Sequence, residues 1–158
     1  MKQPKFSLNY KDEALLALVK ESDHDIIAAW AIACVERVLP YFEDAYAQDR
    51  RPRAALETLQ MWINTGQFSM ITIRGAALAA HAAAREVGAD TPPRSAARAA
   101  GQAVATAHVP THAIAAANYT LQAVHRANIH ADPDAAVIEE RAWQYQRLLE
   151  LRRKPSQP

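Results

Sequence analysis

The run from Arg74 to Thr120 constrains the fold of this chain more than any other feature. Alanine occupies nearly every helical face of it, interrupted by His81, His108 and His112 and by Arg74, Arg85, Arg94 and Arg98. A surface helix carries one apolar stripe and a polar back. Small residues on all sides instead require helices enclosed by other helices at close range. Small residues also recur at four-residue spacing, as in Gly75, Ala79, Ala83, then Ala97, Gly101, Ala105, then Ala113, Ala117. The steric logic that brings membrane helices together at such spacing predicts tight contacts within a bundle. Gly88 to Thr91 and Val109-Pro110 divide the run into three helices.

A chain of 158 residues suits one domain with a real core, so 1–158 reads as a single α-helical unit with a disordered tail from about 154 to 158. Each buried methylene-sized group contributes only about 0.8 kcal/mol, so an alanine-rich core leans on close backbone approach and many dispersion contacts. The large anchors are few: Trp30, Trp62, Trp143, Phe42 and Phe68.

The punctuation predicts an all-α bundle of six to seven helices around an alanine-rich central layer. Asn9 is placed to cap a first helix ending near Lys20. Ser22 with Asp25 resembles a capping box opening a helix with Ile26, Ile27, Trp30, Cys34 and Val38 inward, which Pro40 ends or kinks. Pro52 marks a first turn, Leu56, Leu59, Trp62 and Ile63 form a stripe, and Gly66 is a stop. Helices then run from near Ser69 to Gly88, from Thr91 to near His108, and from Pro110 or Thr111 to about Asn128. Asp132-Pro133 opens the last, to Arg153, with Val137, Trp143, Leu148 and Leu151 inward. Phe68 to Ile73 is rich in strand formers but leads straight into an alanine helix.

Eighteen basic against seventeen acidic residues give a net charge of +1, which argues against a nucleic-acid module and a DNA-binding regulator. The basic cluster Arg152-Arg153-Lys154 suits a solvated helix C-terminus. One cysteine, Cys34, permits no intrachain disulfide. Met1 to Tyr10 lacks the apolar run of a signal peptide. The uncharged stretch between Arg98 and Arg126 has a membrane-spanning length, but Gln102, His108, Pro110, His112 and Asn118 interrupt it. A cytoplasmic protein with no membrane contact is expected.

Chemistry-bearing patterns are sparse. His108 and His112 have a metal-ligand spacing, but Pro110 separates them onto two helices. A zinc site needs further ligands, and no acid lies between Glu57 and Glu86 to join His81. No metal or cofactor is expected, and these imidazoles read as hydrogen-bonding groups at helix ends. Cys34 reads as a core residue. Glu43-Asp44 and Glu139-Glu140 are adjacent and point apart on a helix, so no catalytic residue is assigned. Arg74, His81 and Arg85 share a helical face that meets solvent or pairs with acids, with Glu36 and Glu57 as candidate partners.

Four blocks carry a resemblance. They are Trp30-x-x-x-Cys34-x-x-Arg37-Val38-Leu39-Pro40-x-Phe42-Glu43; Arg51-Pro52-Arg53-x-Ala55 followed by Trp62-x-x-x-Gly66; Arg74 to Arg85 around His81; and Ala96 to Tyr119 around His108 and His112. In order and spacing this resembles the immunity-five-like proteins of bacterial polymorphic toxin systems, over about Trp30 to Ala127. Gln102 stands where relatives often carry histidine, and Pro110 where they carry small or acidic residues. The resemblance implies a small cytoplasmic α-helical protein that shields its cell, without turnover, by binding a cognate toxin. Such an inhibitor needs aromatic and arginine anchors, for which Tyr41, Tyr46, Arg50, Arg51 and Arg53 are the candidates. A near-neutral chain does not favour a nuclease as the toxin. The rival reading is a helical small-molecule or metal-binding domain using His81, His108 and His112. Alanine-rich faces also leave a homo-oligomer open.

Overall fold

Eight helices and no strand are found among the residues described by the computed structural model, which are 5–9 and 11–153. They are α1 (Glu13–Lys20), α2 (His24–Glu36), α3 (Leu39–Ala45), α4 (Arg51–Thr65), α5 (Met70–Val87), α6 (Pro92–Ala105), α7 (His112–Ala127) and α8 (Pro133–Arg153). The tail expected from 154, with Lys154 of the basic cluster, lies outside the described residues, as do 1–4 and Tyr10 of the N-terminal segment.

The alanine run forms α5, α6 and most of α7, divided where its breakers stand. Ser69 caps α5 by accepting from the Thr72 amide, and Gly88 ends it at φ 74°, in the left-handed region that glycine adopts without strain. Gly66, at φ 67°, ends α4 in the same way. α6 is enclosed: eight of its fourteen residues are buried, and it packs against α5, α7, α4, α3 and α2.

Four expectations are corrected. The chain between α1 and α4 forms two helices, because α2 ends at Glu36 and Pro40 falls in the first turn of α3, where its missing N–H costs nothing. The described residues therefore hold eight helices in place of six or seven. Asp12, three residues beyond Asn9, caps α1 through the Leu15 amide. The capping box at Ser22 does not form, because its hydroxyl donates back to Leu18 O at 2.6 Å. Phe68 is exposed and Gly75 has open space around it, so neither packs into the core.

The inward face of α8 is the largest departure. Leu148 is buried, but Val137, Trp143 and Leu151 are only half-buried, and Glu140, Arg141 and Gln144 fill the face instead. They join α8 to α2 and α7 through hydrogen bonds. Gln144 donates to Thr120 Oγ1 (2.6 Å) and Ala117 O (3.2 Å), and its own backbone carbonyl accepts from Trp30 Nε1 at 2.8 Å. Arg141 donates to Gln144 Oε1 (3.0 Å) and to Asn118 Oδ1. Arg152 reaches from the last turn of α8 to Leu18 O (3.1 Å) and Ser22 Oγ (3.2 Å), fastening α1.

Gly101 and Gly75 respond oppositely to a methyl group. A Cβ at Gly101 would lie 2.7 Å from the His81 ring, so the ring fills the space a side chain would need and must shift for any other residue. Gly101→Ala is expected to cost about 1–3 kcal/mol through overpacking. Gly75 lies in the interior of α5 with nothing within 4 Å, so Gly75→Ala is expected to stabilise by about 0.5–1 kcal/mol. Urea unfolding of both variants checks the pair of signs.

Candidate functional site

The corner between α3 and α4 holds the five residues expected to anchor a partner. Tyr41 and Tyr46 are exposed there, with the Phe42 and Tyr46 rings 5.1 Å apart. The three arginines are engaged within the chain. Arg50 pairs with Glu57 at 2.5 Å, and Arg53 pairs with Glu43 (2.7 Å) and Glu36 (3.6 Å). Arg51 pairs with Asp49 (2.7 Å) and with Glu86, tying the start of α4 to the end of α5. The hydrogen bonds from Arg53 and Arg51 hold Glu43 and Asp49 below the usual carboxylate range. The arginines brace the corner, and the tyrosines are its free contacts.

Glu36 and Glu57, the expected partners of Arg74 and Arg85, are taken by Arg53 and Arg50. Among the described residues Arg74 and Arg85 form no ion pair, and both lie exposed on α5. His81 sits at the edge of their face, half-buried against Gly101 of α6. Gln102 Oε1 accepts from His112 Nδ1 at 2.9 Å. Beyond Pro110 the geometry separates, and His108 is exposed with its ring 6.0 Å from that of Phe68. Among the described residues no three His, Cys, Asp or Glu side chains are grouped to hold a metal ion. Cys34 is fully buried, and burial pushes its thiol up, away from the reactive thiolate.

His81 and His112 are both held below the ordinary imidazole value. Burial is the first cause for each, followed by Arg98, Arg85 and His112 for His81, and by His108 for His112. The unfolded chain therefore binds more protons as pH falls below 6.5. The stability these groups contribute is complete above that pH and is lost as pH drops through the folded values. The paired carboxylates Glu43 and Asp49 titrate lower still, outside this window. Unfolding midpoints are expected to fall between about pH 7.5 and pH 5, and His81→Gln to flatten the fall. A midpoint that rises on acidification contradicts this.

Two features escaped the sequence. Arg37 donates to both Glu140 oxygens (2.6 and 2.9 Å) and lies 4.0 Å over the Trp143 ring, which raises its pKa chiefly through the Glu140 hydrogen bond. With Tyr41 and Asn128 these residues line a cleft of about 750 Å³. No local signal links partners 103 residues apart. The second is the outer face of the α4–α5 hairpin, where Ile71 (86 % exposed) and Leu78 (56 %) stand in solvent on α5, and Met61 (61 %) lines a 550 Å³ groove with Trp62, Phe68 and Ile73. Ile71, Arg74, Gly75 and Leu78 follow helical spacing, the signal that could have marked this face.

Residues 17–151 match the sequence profile of the family described as "Imm-5 like putative immunity protein". The match spans α2 to α7 entirely and nearly all of α8, so the chain belongs to this family. No curated protein and no solved structure matches.

Proposed function

We propose that this family member protects the cell that makes it by binding the protein surface of a cognate toxin, without turnover. The observation that carries the reading is the family match over 17–151, nearly the whole helical body. The braced scaffold supports it. Ion pairs and the buried polar seam fix the helices before any partner arrives, and a preformed surface avoids the ordering cost of association. Tyr41 and Tyr46 offer aromatic contact at the α3–α4 corner, the residue type enriched among energetic anchors. Cys34 is buried in the core and Glu140 is paired with Arg37, in keeping with a structural part for both. Among the described residues no helix is long and apolar enough to cross a membrane, and the reading places the protein in the cytoplasm.

The test is survival. Cells expressing the toxin domain encoded beside this gene are expected to grow when the chain is co-expressed, and the two proteins to co-purify. Failure of both protection and co-purification overturns the reading.

A further inference from the structure

The outer face of the α4–α5 hairpin combines three properties that seldom coincide on a monomer. The first is exposed apolar bulk. Met61, Phe68, Met70, Ile71 and Leu78 are all exposed within eighteen positions of chain; Met61 and Phe68 line a groove, and Ile71 and Leu78 stand out from α5. Apolar exposure concentrated in this way marks an interaction site.

The second is Gly75. It lies between Ile71 and Leu78 on the exposed face, with open space where a side chain would be. Glycine inside a helix costs about 0.5–1 kcal/mol relative to alanine, and nothing within the chain packs against this one to offset that cost. A notch flanked by two aliphatic ridges admits the ridge of an incoming helix, as ridges fit grooves in helix packing. The eighteen residues of α5 extend about 27 Å, room for a partner helix of about five turns.

The third is charge. Arg74 and Arg85 lie on the same face, unpaired among the described residues. A second copy laid on this face would bring arginines to arginines, and the hairpin's exposed acids Glu57 and Glu86 are already paired with Arg50 and Arg51. An acidic partner would satisfy both.

We propose that this face is where the toxin docks, and that the docking element is an amphipathic helix whose apolar ridge enters the Gly75 notch and whose acidic flank meets Arg74 and Arg85. The proposal rests on the immunity reading and extends the contact surface from the α3–α4 corner along the hairpin, whose far end Arg51 and Glu86 already join to that corner.

The probe is a catalytically inactivated toxin domain from the adjacent gene, titrated calorimetrically against the chain. Gly75→Leu and Ile71→Asp are each expected to weaken binding about 30-fold or more, as the loss of an interface anchor does. Gly75→Leu is expected to do so while unfolding at the same or higher urea concentration, which separates a lost contact from a lost fold. Arg74→Glu combined with Arg85→Glu is expected to weaken binding and to abolish its decline between about 0.05 and 0.5 M salt. If the wild type binds and protects but these variants bind equally well, the face is wrong and the immunity reading stands. If the wild type neither binds nor protects, both fall. Two further results overturn the proposal. One is a micromolar dimer of the chain that Gly75→Leu makes monomeric. The other is binding to phosphatidylglycerol vesicles that the arginine reversals abolish while toxin affinity is unchanged.

Discussion

Trp30→Ala is expected to destabilise the chain by about 3–5 kcal/mol, a large part of the 5–15 kcal/mol that holds a typical domain folded. Trp30 is the largest fully buried side chain among the described residues, in a core whose commonest residue is alanine. An alanine-rich core has few long side chains to fill a void, which keeps the cavity term large. The substitution also strands the Gln144 carbonyl, which accepts from Trp30 Nε1 at 2.8 Å. Trp30→Phe separates the two effects. It retains most of the packing and loses the hydrogen bond, so it is expected to cost about 1–3 kcal/mol. Urea unfolding followed by far-ultraviolet circular dichroism measures both. Equal costs for the two variants would show that packing at Trp30 matters little.

Arg141→Met is expected to cost about 3–5 kcal/mol for a different reason. Its guanidinium is buried and donates to Gln144 Oε1 and Asn118 Oδ1. Methionine preserves bulk but leaves those oxygens desolvated without a donor, the expensive half of any buried hydrogen bond. Combining Arg141→Met with Gln144→Leu removes donor and acceptor together. The double variant is expected to cost less than the sum of the single ones, with a coupling of about 0.5–3 kcal/mol. Strict additivity would mean that the seam between α7 and α8 does not act as a unit.

These two predictions also mark where the sequence was legible. Trp30 reads as core from local spacing, because Ile26, Ile27, Trp30, Cys34 and Val38 recur at helical intervals, and all but the half-buried Ile26 are buried. The alanine run was readable for the same local reason: Gly66, Gly88, Pro92 and Pro110 are breakers whose effect needs no tertiary information. Arg141 was not legible. In α8 the hydrophobic letters Val137, Trp143 and Leu151 suggest one inward face, and the chain buries the stripe of Glu140, Arg141, Gln144 and Leu148. Its partners Arg37, Asn118 and Thr120 come from helices far away in sequence, so no window of residues reveals that a charged stripe will be satisfied.

The anchors divided in a similar way. Arg50, Arg51 and Arg53 match the composition of an interface, yet each is committed to an acid of its own chain. Composition cannot distinguish an arginine that braces a scaffold from one that awaits a partner. For Arg74 and Arg85 the sequence leaves solvent or internal acids open; they stand in solvent, and Glu36 and Glu57 pair with Arg53 and Arg50. The histidines, expected to bond backbone groups at helix ends, do not: His112 bonds the Gln102 side chain, and His81, inside α5, has a buried Nδ1 without a hydrogen-bond partner among the described residues. Pro110 separates His108 from His112, and the Gln102 side chain accepts from His112.

The central claim is inhibition by binding, and stoichiometry tests it most directly. The purified toxin domain is held at a concentration well above the dissociation constant, and its residual activity is measured as the chain is added. Inhibition by an occupied surface predicts a linear fall that reaches its floor at one chain per toxin. Complete protection by a small fraction of that amount would show that the chain turns over, and would contradict the account.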